Sequence, residues 1–68
     1  MIYIVFREQE VCIATANIEK AVNSFLKEGS SIEVWENEMR IFTYVEPQYP
    51  ITDFDKMLSI IRDGVMHV

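Results

Sequence analysis

Two parts of this chain have strand-forming residues on both sides of a polar turn, and in the second part hydrophobic and polar residues alternate with a period of two. Residues 2–6 and 11–16 flank a polar turn at 7–10, and residues 32–45 repeat the pattern around a polar turn at 36–38. β-Branched and aromatic residues are frequent in both parts. Alternation of this kind on both sides of a polar turn is typical of paired strands. The sequence therefore predicts two β-hairpins.

The first turn also predicts a strand register. If residues 7 and 10 close the turn, Phe6 pairs with Val11 and Ile4 with Ile13, and the apolar residues then share one face of the hairpin. A slip of one residue would destroy that consistency.

A helix is predicted after the first hairpin, at residues 18–28. Asn17 precedes it as an N-cap, and Gly29 is expected to end it as a left-handed C′ residue. One stripe of the helix is apolar, with the spacing i, i+3, i+4, i+7, i+8. The stripe consists of Ile18, Ala21, Val22, Phe25 and Leu26.

A second helix is predicted after the second hairpin. Two prolines make residues 46–51 a turn or extended linker, and Thr52 with Asp55 resembles a capping box. Gly64 is expected to end the helix, leaving 65–68 as a short apolar tail. The predicted buried stripe is Phe54, Met57, Leu58, Ile60 and Ile61.

These elements predict an α+β fold of the order ββαββα. We expect one domain, 1–68, made of a ββα unit at 1–29, a second at 30–64, and the tail. Two hairpins and two helices would form a four-stranded antiparallel sheet with both helices on one face. Residues 25–29 match 60–64 type for type, which suggests an internal repeat with a pseudo-twofold axis. The strand order does not follow from the sequence.

The two faces of the predicted sheet differ in character. The aliphatic face is expected under the helices and comprises Ile2, Ile4, Phe6, Val11, Ile13, Ile32, Val34, Met39, Ile41 and Val45. The other face would carry Tyr3, Val5, Cys12, Ala14, Trp35, Phe42 and Tyr44, interrupted by Arg7, Glu33 and Arg40. Unless the C-terminal tail and the proline loop through Tyr49 cover it, this aromatic face is expected to be open, and an exposed apolar patch usually marks an interaction site.

Composition narrows the choice of partners and compartment. The chain has 68 residues, is 50% hydrophobic, and carries a net charge of −5. A domain of this size buries only about 60% of its unfolded surface, so association with a partner would help to stabilise it. One Cys and one His allow neither an internal disulfide nor a zinc site. With no apparent signal peptide or membrane-spanning run, we expect a cytoplasmic protein without a cofactor.

The interpretation that these features favour is a non-enzymatic interaction protein. It would form a homodimer or bind another protein through its aromatic sheet face, and Trp35 opposite Arg40 suggests a local cation–π contact. A phage or mobile-element protein that binds a host protein would fit this plan. The predicted protein-binding residues are Tyr3, Val5, Trp35, Arg40, Phe42 and Tyr44.

A single-stranded nucleic-acid accessory protein is one alternative, because an aromatic sheet face can stack bases. The platform would consist of Tyr3, Trp35, Phe42 and Tyr44. The net negative charge and the scattered basic residues disfavour this function, since nucleic-acid backbones are polyanions.

A carboxylate-based, metal-dependent enzyme is the other alternative. Glu8 and Glu10 lie in the first turn, and Glu36 and Glu38 in the second. Their spacing lacks the ligand periodicity of a calcium loop, so solvated turn charges are the favoured interpretation. Cys12 is interpreted as a buried structural thiol and His67 as an exposed tail residue.

Overall fold

The computed structural model describes residues 1–66, and it confirms the predicted α+β fold and the ββαββα order. The predicted exposure of His67 falls outside the described residues. Each element begins and ends close to its predicted bounds. The elements are β1 (Ile2–Arg7), β2 (Glu10–Thr15), α1 (Ile18–Glu28), β3 (Ser31–Glu36), β4 (Met39–Val45) and α2 (Phe54–Met66).

The four strands form one antiparallel sheet in the order β2-β1-β3-β4. The first strands of the two hairpins are therefore central, and the second strands are the edges. Helix α1 packs on β1 and β2, α2 packs on β4, and the helices contact each other. Both helices lie on the same face, so the structure has two layers.

The two hairpins are related by a shift of 29 residues. The shift makes Ile32 the equivalent of Tyr3, and Val34 the equivalent of Val5. Tyr3 pairs with Val34, and the equivalent pair, Ile32 with Val5, is also present. Each hairpin has a two-residue turn, and each has a register shift at the same relative place. This register corresponds to a pseudo-twofold axis between β1 and β3, as the repeat suggested.

The register shifts are β-bulges, and the sequence analysis did not predict them. In the first hairpin Phe6 pairs with Val11 as expected, but Ile4 pairs with Ala14 rather than Ile13. Cys12 is the extra residue of this bulge, and Ile41 occupies the equivalent place in the second hairpin. A bulge places two residues opposite one, so the alternation beyond it changes face.

The predicted assignment of faces is consequently wrong for part of the sheet. On β1 the helices cover Tyr3 and Val5, which are 9% and 0% exposed, while Ile2, Ile4 and Phe6 point to the other side. Ile32 and Val34 on β3 are buried under the helices as predicted. The buried core comprises Tyr3, Val5, Ala21, Val22, Phe25, Ile32, Val34, Met57 and Ile61.

The helix starts follow ordinary capping chemistry. Asn17 caps α1 as predicted, accepting a hydrogen bond from the Lys20 amide at 3.1 Å. In α2 the cap is Asp53, whose carboxylate accepts from the Lys56 amide at 3.0 Å. The helix thus begins one residue later than a cap at Thr52 would have placed it.

Both glycines allow close packing, and neither is left-handed as predicted. Gly29 ends α1 as predicted, but with extended backbone angles (φ −80°, ψ 150°), and a Cβ there would lie 2.6 Å from Val5 Cγ1. Gly64 does not end α2 but lies inside it, and a Cβ there would clash with the ring of Phe42. Each glycine therefore lets a helix approach the sheet more closely than any side chain would permit.

We predict that Gly64→Ala destabilises the protein even though alanine favours helix formation by about 1 kcal/mol. Overpacking against the Phe42 ring costs about 1–3 kcal/mol, so thermal unfolding should show a lower Tm. Ser59→Ala, at an exposed position of the same helix, is the matched control and should change stability by less than about 0.5 kcal/mol. A Gly64→Ala variant at least as stable as the wild type would contradict this packing.

Candidate protein-binding face

One face of the sheet is not covered by either helix. We call it the uncovered face, and the strand register arranges its side chains in three rows across the sheet. The first row is Val11, Phe6, Ser31 and Val45; the second is Ala14, Ile4, Glu33 and Thr43; the third is Ile2, Trp35 and Arg40. The β1 and β2 half of this face is entirely apolar.

Exposure along β1 shows how unusual this face is. Ile2 is 43% exposed, Ile4 and Phe6 are half-buried, and Val11 on the neighbouring strand is 58% exposed. The solvent face of an antiparallel sheet is normally polar. Here three alternate residues of a central strand all present apolar side chains on the uncovered face, which is the arrangement expected of a docking surface.

A polar group of three residues occupies the β3 and β4 half. The Trp35 indole Nε1 donates to Glu33 Oε1 at 2.9 Å, and Arg40 donates to Glu33 Oε2 at 3.4 Å. Trp35 lies opposite Arg40 as predicted. The two side chains are linked through the shared Glu33 carboxylate, which neutralises the cation and satisfies the indole N–H.

Only two of the six predicted binding residues lie on the uncovered face. Trp35 and Arg40 are there, but Tyr3 and Val5 are in the core. Phe42 and Tyr44 also pack against the core, with Tyr44 in edge-to-face contact with Phe25 at a centroid distance of 5.9 Å. Their predicted exposure is wrong, because the bulge in β4 directs them towards the helices.

The residues that replace them were expected under the helices. Ile2, Ile4, Phe6 and Val11 belong to the predicted aliphatic face, yet the structure places them on the uncovered one. The available signal was the composition of β1, which is apolar at every position from 2 to 6. A strand that is apolar on both faces is expected to be buried on both sides, but its composition does not identify the side on which the helices pack.

The carboxylates of the two hairpin turns do not form a common site. Because β1 and β3 are antiparallel, the turn containing Glu8 and the turn containing Glu38 lie at opposite ends of the sheet. Within residues 1–66, no group of three or more His, Cys, Asp and Glu side chains is placed to hold a metal ion.

Cys12 lies in the first bulge, half-buried beside α1. Its partial burial and the nearby Glu28 carboxylate raise the pKa of the thiol. The thiolate is the nucleophilic form, so this environment disfavours the reactive form of Cys12.

A shallow cleft of about 250 Å³ lies between the end of α1 and the proline-containing loop. Its polar rim includes Glu28, Glu46 and Thr52, and its apolar lining includes Phe25 and Ile51. Glu46 and Thr52 are solvent-exposed. This cleft is thus a surface depression with a hydrated acidic rim.

No protein-family model, curated protein or solved structure gave a significant match to this chain. In the part of the chain that the structure describes, neither helix has the length and apolar character needed to cross a bilayer. The functional argument therefore rests on the geometry of the uncovered face.

We predict that Glu28→Gln accelerates alkylation of Cys12 by iodoacetamide at pH 8. Removing the carboxylate charge lowers the pKa of the thiol towards its ordinary value, so more thiolate is present at that pH. The control is Glu19→Gln, which removes the same charge from an exposed position near the other end of α1. Equal alkylation rates in the two variants would show that Glu28 does not control the thiol.

Proposed function

We propose that this protein is a non-enzymatic protein-binding module that docks through its uncovered face. The observation that carries the proposal is the exposed apolar row of β1, formed by Ile2, Ile4 and Phe6. Exposed apolar surface gains about 25 cal/mol for each Å² removed from water. A partner that covers this row would supply the second layer of cover that the chain itself does not provide.

The size of the face fits a protein partner. Strands lie about 4.8 Å apart and each residue adds about 3.3 Å along a strand, so four strands of about six residues present roughly 400 Å². The apolar part of this face is its β1 and β2 half, and an exposed apolar patch on a small protein often marks an interaction site. The cleft described above lies away from this face, between the end of α1 and the proline-containing loop, so the face suits a protein surface better than a small molecule.

The other two functions receive less support from the arrangement of side chains. A base-stacking platform needs exposed aromatic rings and cations that follow the phosphate backbone. Tyr3, Phe42 and Tyr44 pack towards the helices, and the Arg40 guanidinium is paired with Glu33. A carboxylate enzyme would need its acidic groups close together, whereas the two turns lie at opposite ends of the sheet.

We predict that a charge at the centre of the uncovered face weakens protein binding. Ile4→Glu places a carboxylate in the middle row, next to Glu33 on the neighbouring strand. Burying that charge without a partner is costly, so binding should weaken at least tenfold, which is about 1.4 kcal/mol. The protein is immobilised, and two samples are passed over it separately: a tagged second copy of the chain, and lysate of the source organism. The measurement is the amount of protein retained from each sample.

The matched control is Tyr49→Glu, which makes the same kind of change at an 83% exposed residue outside the face. It should retain the same proteins as the wild type, and circular dichroism should show that both variants are folded. If Ile4→Glu retains as much protein as Tyr49→Glu, the uncovered face is not the docking surface.

A further inference from the structure

We infer that the occupant of the uncovered face is a second copy of this chain, stacked face to face. This inference rests on the proposed function and names its partner. The dimer would have four layers, with the two sheets in the middle and the helices outside. Three properties of the face support self-association: its charge, its satisfied polar groups and its shape.

The face is neutral, although the chain is strongly acidic. Of the residues in its three rows, only Glu33 and Arg40 are charged, and they form an ion pair at 3.4 Å. Each helix carries two acidic and two basic residues, so the net charge of −5 lies around the hairpin turns and on the loop between β4 and α2. These segments are at the ends of the strands, so a second copy can approach face to face without placing them in the centre of the interface.

The indole N–H of Trp35 and the two carboxylate oxygens of Glu33 already have partners within one chain. The Trp35 indole N–H is bonded to Glu33, and the second oxygen of that carboxylate is bonded to Arg40. A buried N–H without an acceptor would cost about 1–3 kcal/mol. Because the donor is satisfied before association, the Trp35 ring can be covered by an apolar partner surface without that loss.

The face carries two large rings, one at each end of its central strands. Phe6 and Trp35 occupy equivalent positions of the two hairpins and lie in the first and third rows, about 13 Å apart along the strands. Smaller side chains lie near them: Ser31 is beside Phe6 in the first row, and Ala14 and Thr43 are at the two ends of the middle row. Two identical faces related by a twofold axis can thus place rings of one copy over the low positions of the other.

The area is sufficient for a reversible dimer. Each copy would contribute a face of roughly 400 Å², and side chains that project from the sheet increase the buried area. The total comes close to the lower limit of about 1,000 Å² for a specific interface. An interface at that limit predicts association that depends on concentration. Face-to-face stacking is also favoured over edge pairing, since the bulges at Cys12 and Ile41 interrupt the outer strands β2 and β4.

The deciding measurement is the mass of the purified protein by sedimentation equilibrium from 5 µM to 1 mM, with Trp35 fluorescence recorded on the same samples. Trp35 is the single tryptophan and lies on the uncovered face, so its emission reports cover at that face. We expect the mass to rise from 8.0 kDa towards twice that value, accompanied by a blue shift of the emission.

Two face variants and one control complete the experiment. Ile4→Glu should weaken dimerisation at least tenfold. Thr43→Lys should have the same effect, and because Thr43 is an exposed residue of the middle row, this variant is expected to fold like the wild type. Tyr49→Glu should dimerise like the wild type.

Two results would overturn the inference. A monomer at 1 mM would exclude the second copy, while the retention experiment with Ile4→Glu would still decide whether the face binds another protein. A dimer without a blue shift that also persists in both face variants would place the interface elsewhere, at a strand edge or on the helices.

Discussion

The structure depends on one constraint: four strands create two sheet faces, and this chain has helices for only one of them. The central strand β1 is apolar at every position from 2 to 6, so each of its faces gains from being removed from water. Tyr3 and Val5 are covered by the chain itself. Ile2, Ile4 and Phe6 are not, and the proposed function follows from that imbalance.

Local patterns predicted the elements well because they depend on local chemistry. The 3.6-residue stripes located both helices, and Asn17 was recognised as a cap because its side chain reaches an amide of the first turn. The turns and the order of elements followed from the period-two alternation. The strand order could not be predicted in the same way. It depends on the pairing of β1 with β3, whose paired residues are about 30 positions apart, and local sequence patterns carry no information about such distant pairs.

The assignment of faces failed where the backbone departs from regular alternation. A bulge at Ile41 changes the side on which Phe42 and Tyr44 lie, and nothing in the residue types at 41 marks a bulge. On β1 both faces are equally apolar, so hydrophobicity alone could not identify the inner one. Trp35 and Arg40 were placed correctly because they pair directly across the second hairpin, next to its turn.

Two glycines lie where the helices approach the covered face most closely. Gly29 brings the end of α1 against Val5, and Gly64 brings α2 against the ring of Phe42. These contacts hold one side chain of β1 and one of β4 under the helices, whereas the isoleucines of β1 lie on the opposite side. Close approach of both helices consolidates one face into a core and leaves the other without net charge, whereas the charge of −5 lies around the hairpin turns and on the loop between β4 and α2. The same division between a packed face and a neutral one thus favours association through a single surface.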